Sequence, residues 1–387
     1  MKILTIVSAL DLNEAPAGTM VWWQLLKALN EVGVNVITVP FIGDSVDTPW
    51  WRCYENPTKV VSKSLYFIAR KLSSIDFVKN SYGRSGSFAL KAARKAFLPR
   101  WFNLIDNVMA KEKNRIDAVM FCSVPINLLE SLPTYIERRW SIPSVYYEID
   151  MPDILPSFGG FHFSYYVGAD LSEYSLFLSN SAGVQREIAE LGAARTDTLL
   201  FAADPEIYHP IQIEENTDIF FSGIGAKFRK EWIQKMLINP ALEDERIRFS
   251  VSGKRFNIAN ERIRFLGFLP FNEWKTQCCA SWINLNISRK PHAETMLSST
   301  LRIFELCSLG ACVVSNRHLG LESWFDPGKE IFVLNADDDP LELYHSLLDQ
   351  PEMIKKVGRA ARSRILAEHT YRHRAQKLLS LLEKTIQ

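Results

Sequence analysis

Ile3-Leu-Thr-Ile-Val-Ser8 is a short apolar, β-branched run, and Val34-Asn-Val-Ile-Thr-Val-Pro-Phe41 is a second. Between them, Asp11 to Thr19 reads as a loop holding Pro16 and Gly18. Met20 to Val32 then places Val21, Leu25, Leu29 and Val32 at helical spacing, and Gly33 ends the pattern. Strand, loop, helix, glycine, strand is a βαβ unit, with parallel strands and a right-handed crossover. Ala118 to Phe121, Ser144 to Tyr147 and Leu176 to Ser179 read as further strands of the same sheet.

The rhythm restarts after Phe201-Ala-Ala-Asp-Pro-Glu-Ile-Tyr-His-Pro210, a polar segment with two prolines that reads as a linker. Ile219 to Ser222, Phe249 to Ser252, Ile263 to Phe265, Trp282 to Ile287, Ala311 to Ser315 and Ile331 to Leu334 are predicted strands. Phe228 to Leu237 and Leu301 to Leu309 are predicted helices, and Pro351 to Gln387 is helical and basic, with Leu378, Leu381 and Leu382 on its apolar face. The expected fold is α/β, with two Rossmann-like domains facing each other across a cleft at the carboxyl ends of their strands, where open parallel sheets bind ligands. The expected boundaries are 1–203, 204–370 and a C-terminal helix over 371–387 returning to the first domain.

Composition narrows the function classes. The chain has 387 residues, 47% hydrophobic and 23% charged, which excludes disordered and fibrous classes. No apolar run is long enough to span a bilayer, and the N-terminus reads as a first strand without a small-residue cleavage site. The six cysteines form no CxxC pair, so a disulfide scaffold or zinc site is not indicated; a reduced, cytoplasmic protein without a metal fits. The formal net charge of +1 conceals an asymmetry, because Lys59 to Trp101 carries ten Lys and Arg against Asp76 alone. The surrounding window, about 50–102, is also rich in aromatic residues. Leu65, Ile68, Leu72 and Ile75 fall at helical spacing near Arg70, Lys71 and Lys79, and Lys91, Arg94 and Lys95 repeat the pattern. An anionic membrane surface, with the protein peripheral to it, is one partner such an insert fits. A lipid-linked or phosphorylated acceptor is another, and a solvated face over an ordinary core is the third reading. No nucleic-acid motif accompanies the charge.

Two constellations carry candidate chemistry. In Asp218-Ile-Phe-Phe-Ser-Gly-Ile-Gly-Ala-Lys-Phe-Arg-Lys230 a strand runs into Gly223-x-Gly225 and a helix opens near Arg229. Glycines admit an anion close to the backbone, and a helix start offers N–H groups and a favourable dipole. Phe228 stands where a third glycine would complete a dinucleotide fingerprint, and a tight strand–helix turn is the plain alternative. In Ser298-Ser-Thr-Leu-Arg-Ile-Phe-Glu-Leu-Cys-Ser-Leu-Gly310, Ser and Thr crowd a helix start and Gly310 ends the helix. Arg302 in the first turn opposes the dipole, which an anion between the arginine and the amides would explain. Glu305 projects from the same face, so a surface ion pair is the alternative.

With Asn180-Ser-Ala-Gly-Val-Gln-Arg-Glu-Ile-Ala-Glu-Leu-Gly192 and Arg264-Phe-Leu-Gly-Phe-Leu-Pro270, these stretches resemble glycosyltransferases of the GT-B fold, most of all the CgeB-like (spore-maturation protein) branch. The resemblance covers about residues 140–340, with a looser match over Met1–Phe41. It implies a nucleotide diphosphate-sugar as donor substrate, no further cofactor, and a hydroxyl acceptor such as a glycan, a lipid-linked sugar or a protein. It implies that Gly223, Gly225 and Arg229 face the diphosphate, and that Phe268 and Leu269 frame the nucleobase. Ser299, Thr300 and Leu301 would present the helix start, Arg302 would neutralise the diphosphate and Glu305 would bind ribose hydroxyls. Transfer would be metal-independent and would retain the anomeric configuration. The related larger group carries two glutamates with seven residues between them. Counting back from Glu305 reaches Leu297, with Glu294 three residues early.

On the acceptor side, Tyr146-Tyr-Glu-Ile-Asp-Met-Pro152 is expected to expose Glu148 and Asp150 at a strand tip, and Asp150 is the candidate for ordering or deprotonating the acceptor. His162 lies in the next loop, and Gly18 could admit a phosphate to the first loop. Asp337-Asp-Asp339 precedes Pro340 and reads as a capped helix start rather than a metal motif. His369 and His373 are expected to face solvent. A non-catalytic scaffold of the same fold and a sugar-nucleotide epimerase are the rival functions.

Overall fold

The computed structural model describes residues 1–12, 21–59, 88–113, 115–155, 166, 169–225, 227–256 and 261–386. They form two compact units. The described residues up to Leu199 and from Ala375 onward make the first, and Leu200–Arg374 make the second. Gly18, His162 and the predicted helix carrying Leu65 to Ile75 lie outside the described residues.

The first unit is built on seven parallel strands: β1 (Lys2–Ala9), β2 (Asn35–Ile42), β3 (Trp51–Cys53), β4 (Ala118–Cys122), β5 (Ser144–Glu148), β6 (Leu176–Ser179) and β7 (Thr196–Thr198), in the order β3-β2-β1-β4-β5-β6-β7. Ile3 faces Val36 on one side and Ala118 on the other. Strands covered on both faces read as near-continuous apolar runs, and for that reason these central strands are the legible ones. Among the described residues this unit includes the helices α1 (Val21–Glu31), α2 (Phe88–Lys111), α3 (Leu132–Trp140) and α4 (Gln185–Glu190). After α1 the chain turns at Gly33, where φ is +90°.

Both ends of the basic aromatic window are woven into this fold. Trp51–Cys53 is the edge strand beside β2, with Val36 opposite Trp51. Along α2, Phe97, Trp101, Ile105 and Val108 repeat at helical spacing and are buried, and Phe41 of β2 stacks on Phe97 and Trp101 at ring-centroid distances of 5.8 and 5.9 Å. Lys91 and Lys95 are exposed. Arg94 is not a free surface cation: its Nε donates to the Asn127 carbonyl at 2.6 Å and its Nη1 pairs with Glu130.

The second unit has six parallel strands: β8 (Thr217–Ile224), β9 (Phe249–Lys254), β10 (Ile263–Phe265), β11 (Ser281–Asn286), β12 (Cys312–Asn316) and β13 (Phe332–Leu334), in the order β10-β9-β8-β11-β12-β13. By position this repeats the order of the first six strands of the other sheet. The switch point therefore falls between β8 and β11, and in such sheets the ligand crevice lies outside the carboxyl ends at that point. Its helices are α5 (Lys230–Ile233), α6 (Asn239–Glu243), α7 (Phe271–Cys279), α8 (Lys290–Glu294), α9 (Leu301–Ser308), α10 (Pro340–Leu348), α11 (Pro351–Glu368) and the start of α12 (Tyr371–Ile386). The rest of α12 belongs to the first unit, where Lys377 Nζ donates to the Thr198 carbonyl at 2.5 Å.

The helix expected over Phe228–Leu237 starts at Lys230 and passes through a π turn, Gln234–Ile238, into α6. Pro240 has no N–H to return to the Met236 carbonyl, which accepts instead from the Tyr344 hydroxyl at 2.8 Å. Asp339 caps α10 by accepting from the Leu341 N–H at 2.9 Å, and Asp338 accepts from the Asn335 backbone and side chain. The acidic triplet is thus a helix start, as its place before Pro340 indicates. His369 departs from expectation. It is 6% exposed, 2.9 Å from Arg374 Nη2 and 3.2 Å from the Trp324 carbonyl, because the chain bends between α11 and α12 and folds that side chain inward.

Because Trp101 is wholly buried against Phe41, Trp101→Ala is expected to lower the stability of the first unit by about 3–5 kcal/mol in urea unfolding. A loss below about 1 kcal/mol would place α2 outside the core.

Candidate functional site

The carboxyl edge of the second sheet gathers most of the predicted donor-side residues. β8 ends at Gly223-Ile-Gly225, and neither glycine leaves room for a Cβ. At Gly225 it would lie 2.5 Å from the Arg255 carbonyl, and at Gly223 it would meet the Phe221 ring at 2.9 Å. Across the strand pair, a Cβ on Gly253 would lie 1.8 Å from the Gly223 carbonyl. The glycines are therefore demanded by the close approach of the turns after β8 and β9, before any ligand is considered. Arg229 follows in a short 3-10 turn, and its Nε donates to the Ile287 carbonyl at 2.6 Å. That bond ties the connection after β8 to the loop after β11, across the switch point.

After β10, the Gly267 carbonyl accepts from the Gly253 N–H at 2.8 Å and from Ser252 Oγ at 3.0 Å, fixing the turn that carries Phe268 and Leu269. Phe268 is 42% exposed, and Lys254 Nζ lies 4.9 Å from its ring centroid. An exposed aromatic face beside a cation can stack on a planar ring. Sequence reasoning missed Lys254; the signal was its place at the end of a strand adjacent to β8.

At α9 the N-cap is Thr300 in an extended conformation, yet its side chain makes no capping hydrogen bond. Thr300 Oγ1 is buried and has no hydrogen-bond partner among the described residues. The first turn carries no acid either, so the positive end of α9 is not balanced by its own side chains. Ser299 plays a different part: it is fully buried and its Oγ accepts from the Phe201 N–H at 3.0 Å. Leu297, where the resemblance would place the first glutamate, sits at φ +49° with its N–H on the Leu319 carbonyl at 2.9 Å.

Arg302 lies 2.8 Å from Glu305 Oε2, with its guanidinium 4.3 Å over the Trp274 ring. This is not a surface pair. Glu305 is 2% exposed and its other oxygen accepts from the Tyr208 hydroxyl at 2.7 Å, while the Arg302 side chain is a quarter exposed. Burial pushes the Glu305 carboxyl above its ordinary value, opposed by Arg302 and the Tyr208 hydrogen bond. The carboxylate thus holds the arginine in place at a helix end where the dipole alone would disfavour it.

In the first unit, Glu148 is not exposed at the strand tip. It is 4% exposed and accepts from Ser123 Oγ at 2.7 Å, Tyr166 Oη at 2.6 Å and Tyr146 Oη at 3.3 Å. Residues two apart on a strand share a face, so Glu148 lies beside Tyr146, in a strand whose residues are all buried. Burial and the nearby Asp150 charge raise the Glu148 carboxyl, against its hydrogen bonds. Asp150 is half-buried, and its N–H donates to Glu148 Oε1 at 3.1 Å.

Residues 229–380 match a family model described as Glycosyl transferase-like. No curated protein matches the sequence. Among solved structures, sucrose-phosphate synthase from Thermosynechococcus elongatus is similar at a TM-score of 0.66 with 11% identity, covering 99% of each chain. Anabaena Alr3699/HepE in complex with UDP-glucose gives 0.62 at 13% identity, covering 99% of this chain and 100% of that one. TarM gives 0.60 at 10%, covering 98% of each. The fold is GT-B, two Rossmann-like domains each on its own parallel sheet.

Near α9, His318 is 2% exposed, and burial lowers its pKa to about 4 against a hydrogen bond with the Ser298 backbone and the Glu322 charge. Its folded pKa lies below the usual 6.5, so the unfolded chain takes up the proton first on acidification and stability falls between about pH 6.5 and 4. Between pH 7 and 5 the native protein is expected to lose about 2 kcal/mol more than His318→Phe in urea unfolding. Identical pH profiles would contradict a neutral, buried imidazole.

Proposed function

We propose that the protein is a glycosyltransferase that moves a sugar, of hexose type, from a nucleotide diphosphate-sugar to a hydroxyl acceptor. The observation that carries this is the start of α9. A helix end with no capping side chain and no first-turn acid stands beside Arg302 at the carboxyl edge of a doubly wound sheet, within the segment that matches the glycosyl transferase-like model. Departure of a nucleoside diphosphate concentrates negative charge on phosphate oxygens, and fixed amides and a held guanidinium stabilise that charge as it develops.

In this reading Arg302 acts on the leaving diphosphate and Thr300 and Leu301 present the helix amides. Ser299 is the strut that fixes this turn through Phe201. Gly223 and Gly225 shape the floor near Arg229, and Phe268 with Leu269 borders the nucleobase. Glu305 anchors Arg302; a ribose hydroxyl would share the carboxylate with Tyr208. The positive field comes from protein groups, so we assign a metal-independent reaction, and by the CgeB-like resemblance a retaining one. Asp150 is assigned to the acceptor hydroxyl, with the buried Glu148 network fixing its backbone. A glycan or lipid-linked acceptor, and peripheral contact with an anionic membrane through Lys91, Lys95 and their neighbours, belong to the same proposal. Among the described residues no helix is long and apolar enough to cross a membrane.

UDP-, GDP-, dTDP- and CMP-sugars tested by thermal shift should identify one donor that stabilises the protein, and UDP-glucose, bound in the HepE structure, is the first to try. Arg302→Ala is expected to weaken that donor about 10–100-fold, the worth of a hydrogen bond to a charged group. Asp150→Asn should lower turnover while leaving donor affinity within about twofold, and EDTA should change neither. Stabilisation by no donor, with no hydrolysis product, would contradict the assignment; unchanged affinity in Arg302→Ala would move the diphosphate elsewhere.

A further inference from the structure

His292 lies in α8 and is 1% exposed, yet both ring nitrogens are engaged. Nε2 is 3.0 Å from Arg289 Nη2 and Nδ1 is 2.9 Å from Ser298 Oγ. A guanidinium has donors only, so Nε2 must accept, and the neutral ring carries its proton on Nδ1 and donates to the Ser298 oxygen. Burial, with the Arg289, His318 and Arg229 charges from the loops after β11, β12 and β8, holds its pKa well below the usual histidine value against a hydrogen bond with Ser298, and keeps the ring neutral. Arg289 is the N-cap residue of α8, two residues beyond the Ile287 carbonyl that Arg229 grips. Ser298 lies two residues before Thr300, the N-cap of α9. One side chain therefore joins the cationic loop after β11 to the start of α9.

We infer that His292 is a positioning residue, which clamps the Arg289 guanidinium with one nitrogen and the Ser298 hydroxyl with the other, so that a second arginine is held in register with α9 for the diphosphate end of the donor. The inference rests on the donor site proposed above and adds to it Arg289 and the means by which it is held. A histidine suits the task because its two nitrogens are rigidly spaced, one accepting and one donating. Asparagine can replace only the near nitrogen and glutamine only the far one.

The test uses the full chain titrated by calorimetry with inorganic pyrophosphate, which needs no knowledge of the base, and with UDP. Arg289→Ala and His292→Asn are each expected to weaken pyrophosphate about tenfold. His292→Gln, which keeps an acceptor for Arg289, should bind within about twofold of the native protein. In an Arg289→Ala background His292→Asn should have no further effect, since the histidine acts through the arginine. A merely structural histidine would weaken binding in both backgrounds and in the glutamine variant, and either result overturns the inference. So does undiminished binding by Arg289→Ala. If His292→Asn does not fold, the glutamine and Arg289→Ala variants decide it by the same criteria. Failure of the native protein to bind pyrophosphate or UDP overturns the donor site and this inference together. Native binding that Arg302→Ala reduces, without the expected His292 pattern, overturns this inference alone.

Discussion

A carboxylate buried within α9 is the constraint around which this edge of the second unit is arranged. Glu305 can stay there only with its charge answered, and Arg302 and the Tyr208 hydroxyl answer it. That requirement fixes three elements at once. Tyr208 comes from the segment entering the unit, Trp274 on α7 supports the other face of the guanidinium, and Arg302 is pinned beside the amides of the first turn. An arginine placed there costs energy against the helix dipole, and the buried pair offsets it. The consequence is a cation that needs no rearrangement when negative charge develops beside it, which is what electrostatic preorganisation requires.

The same edge is stitched sideways by backbone and side-chain bonds, one of which crosses the switch point. Arg229 reaches the Ile287 carbonyl, Asn316 Oδ1 accepts from the Ser288 N–H at 2.7 Å, and His292 joins Arg289 to Ser298. The first two join the segment after β11 to the connection after β8 and to the end of β12, and the third ties together two parts of the connection after β11, so these segments do not move independently. The close contacts at Gly223, Gly225 and Gly253 serve the same end by pressing two turns together. A site assembled from loops is here made rigid by polar bonds between them, on a sheet whose order already brings those loops together.

The fold was legible because strands buried on both faces, such as Ile3–Ser8 and Ile219–Ser222, are unbroken apolar runs. The short edge strands β3 and β7 were not, since Trp51-Arg-Cys53 and Thr196-Asp-Thr198 lack such runs and depend on a neighbour's ladder. In the site, helix-start chemistry marked Thr300 to Glu305, and i,i+3 spacing paired Arg302 with Glu305. Spacing could not tell that Glu305 is buried, because its partner Tyr208 lies far away in sequence. The same limit hid the Glu148 network, completed by Ser123 and Tyr166, and the inward turn of His369. The His292 bridge was not legible because Arg289, three residues before it, reads as an ordinary i,i+3 neighbour, while Ser298 lies six residues on, beyond the end of the short α8.

In the proposed function the start of α9 and the loops after β8 and β11 receive the diphosphate of a nucleotide-sugar. Hydrogen exchange of the full chain with and without the nucleotide that stabilises it tests this most directly. Amides of residues 300–304 are expected to gain protection together with those of 223–229 and 287–289. Protection confined to other segments, with these three unchanged under saturating nucleotide, would contradict it.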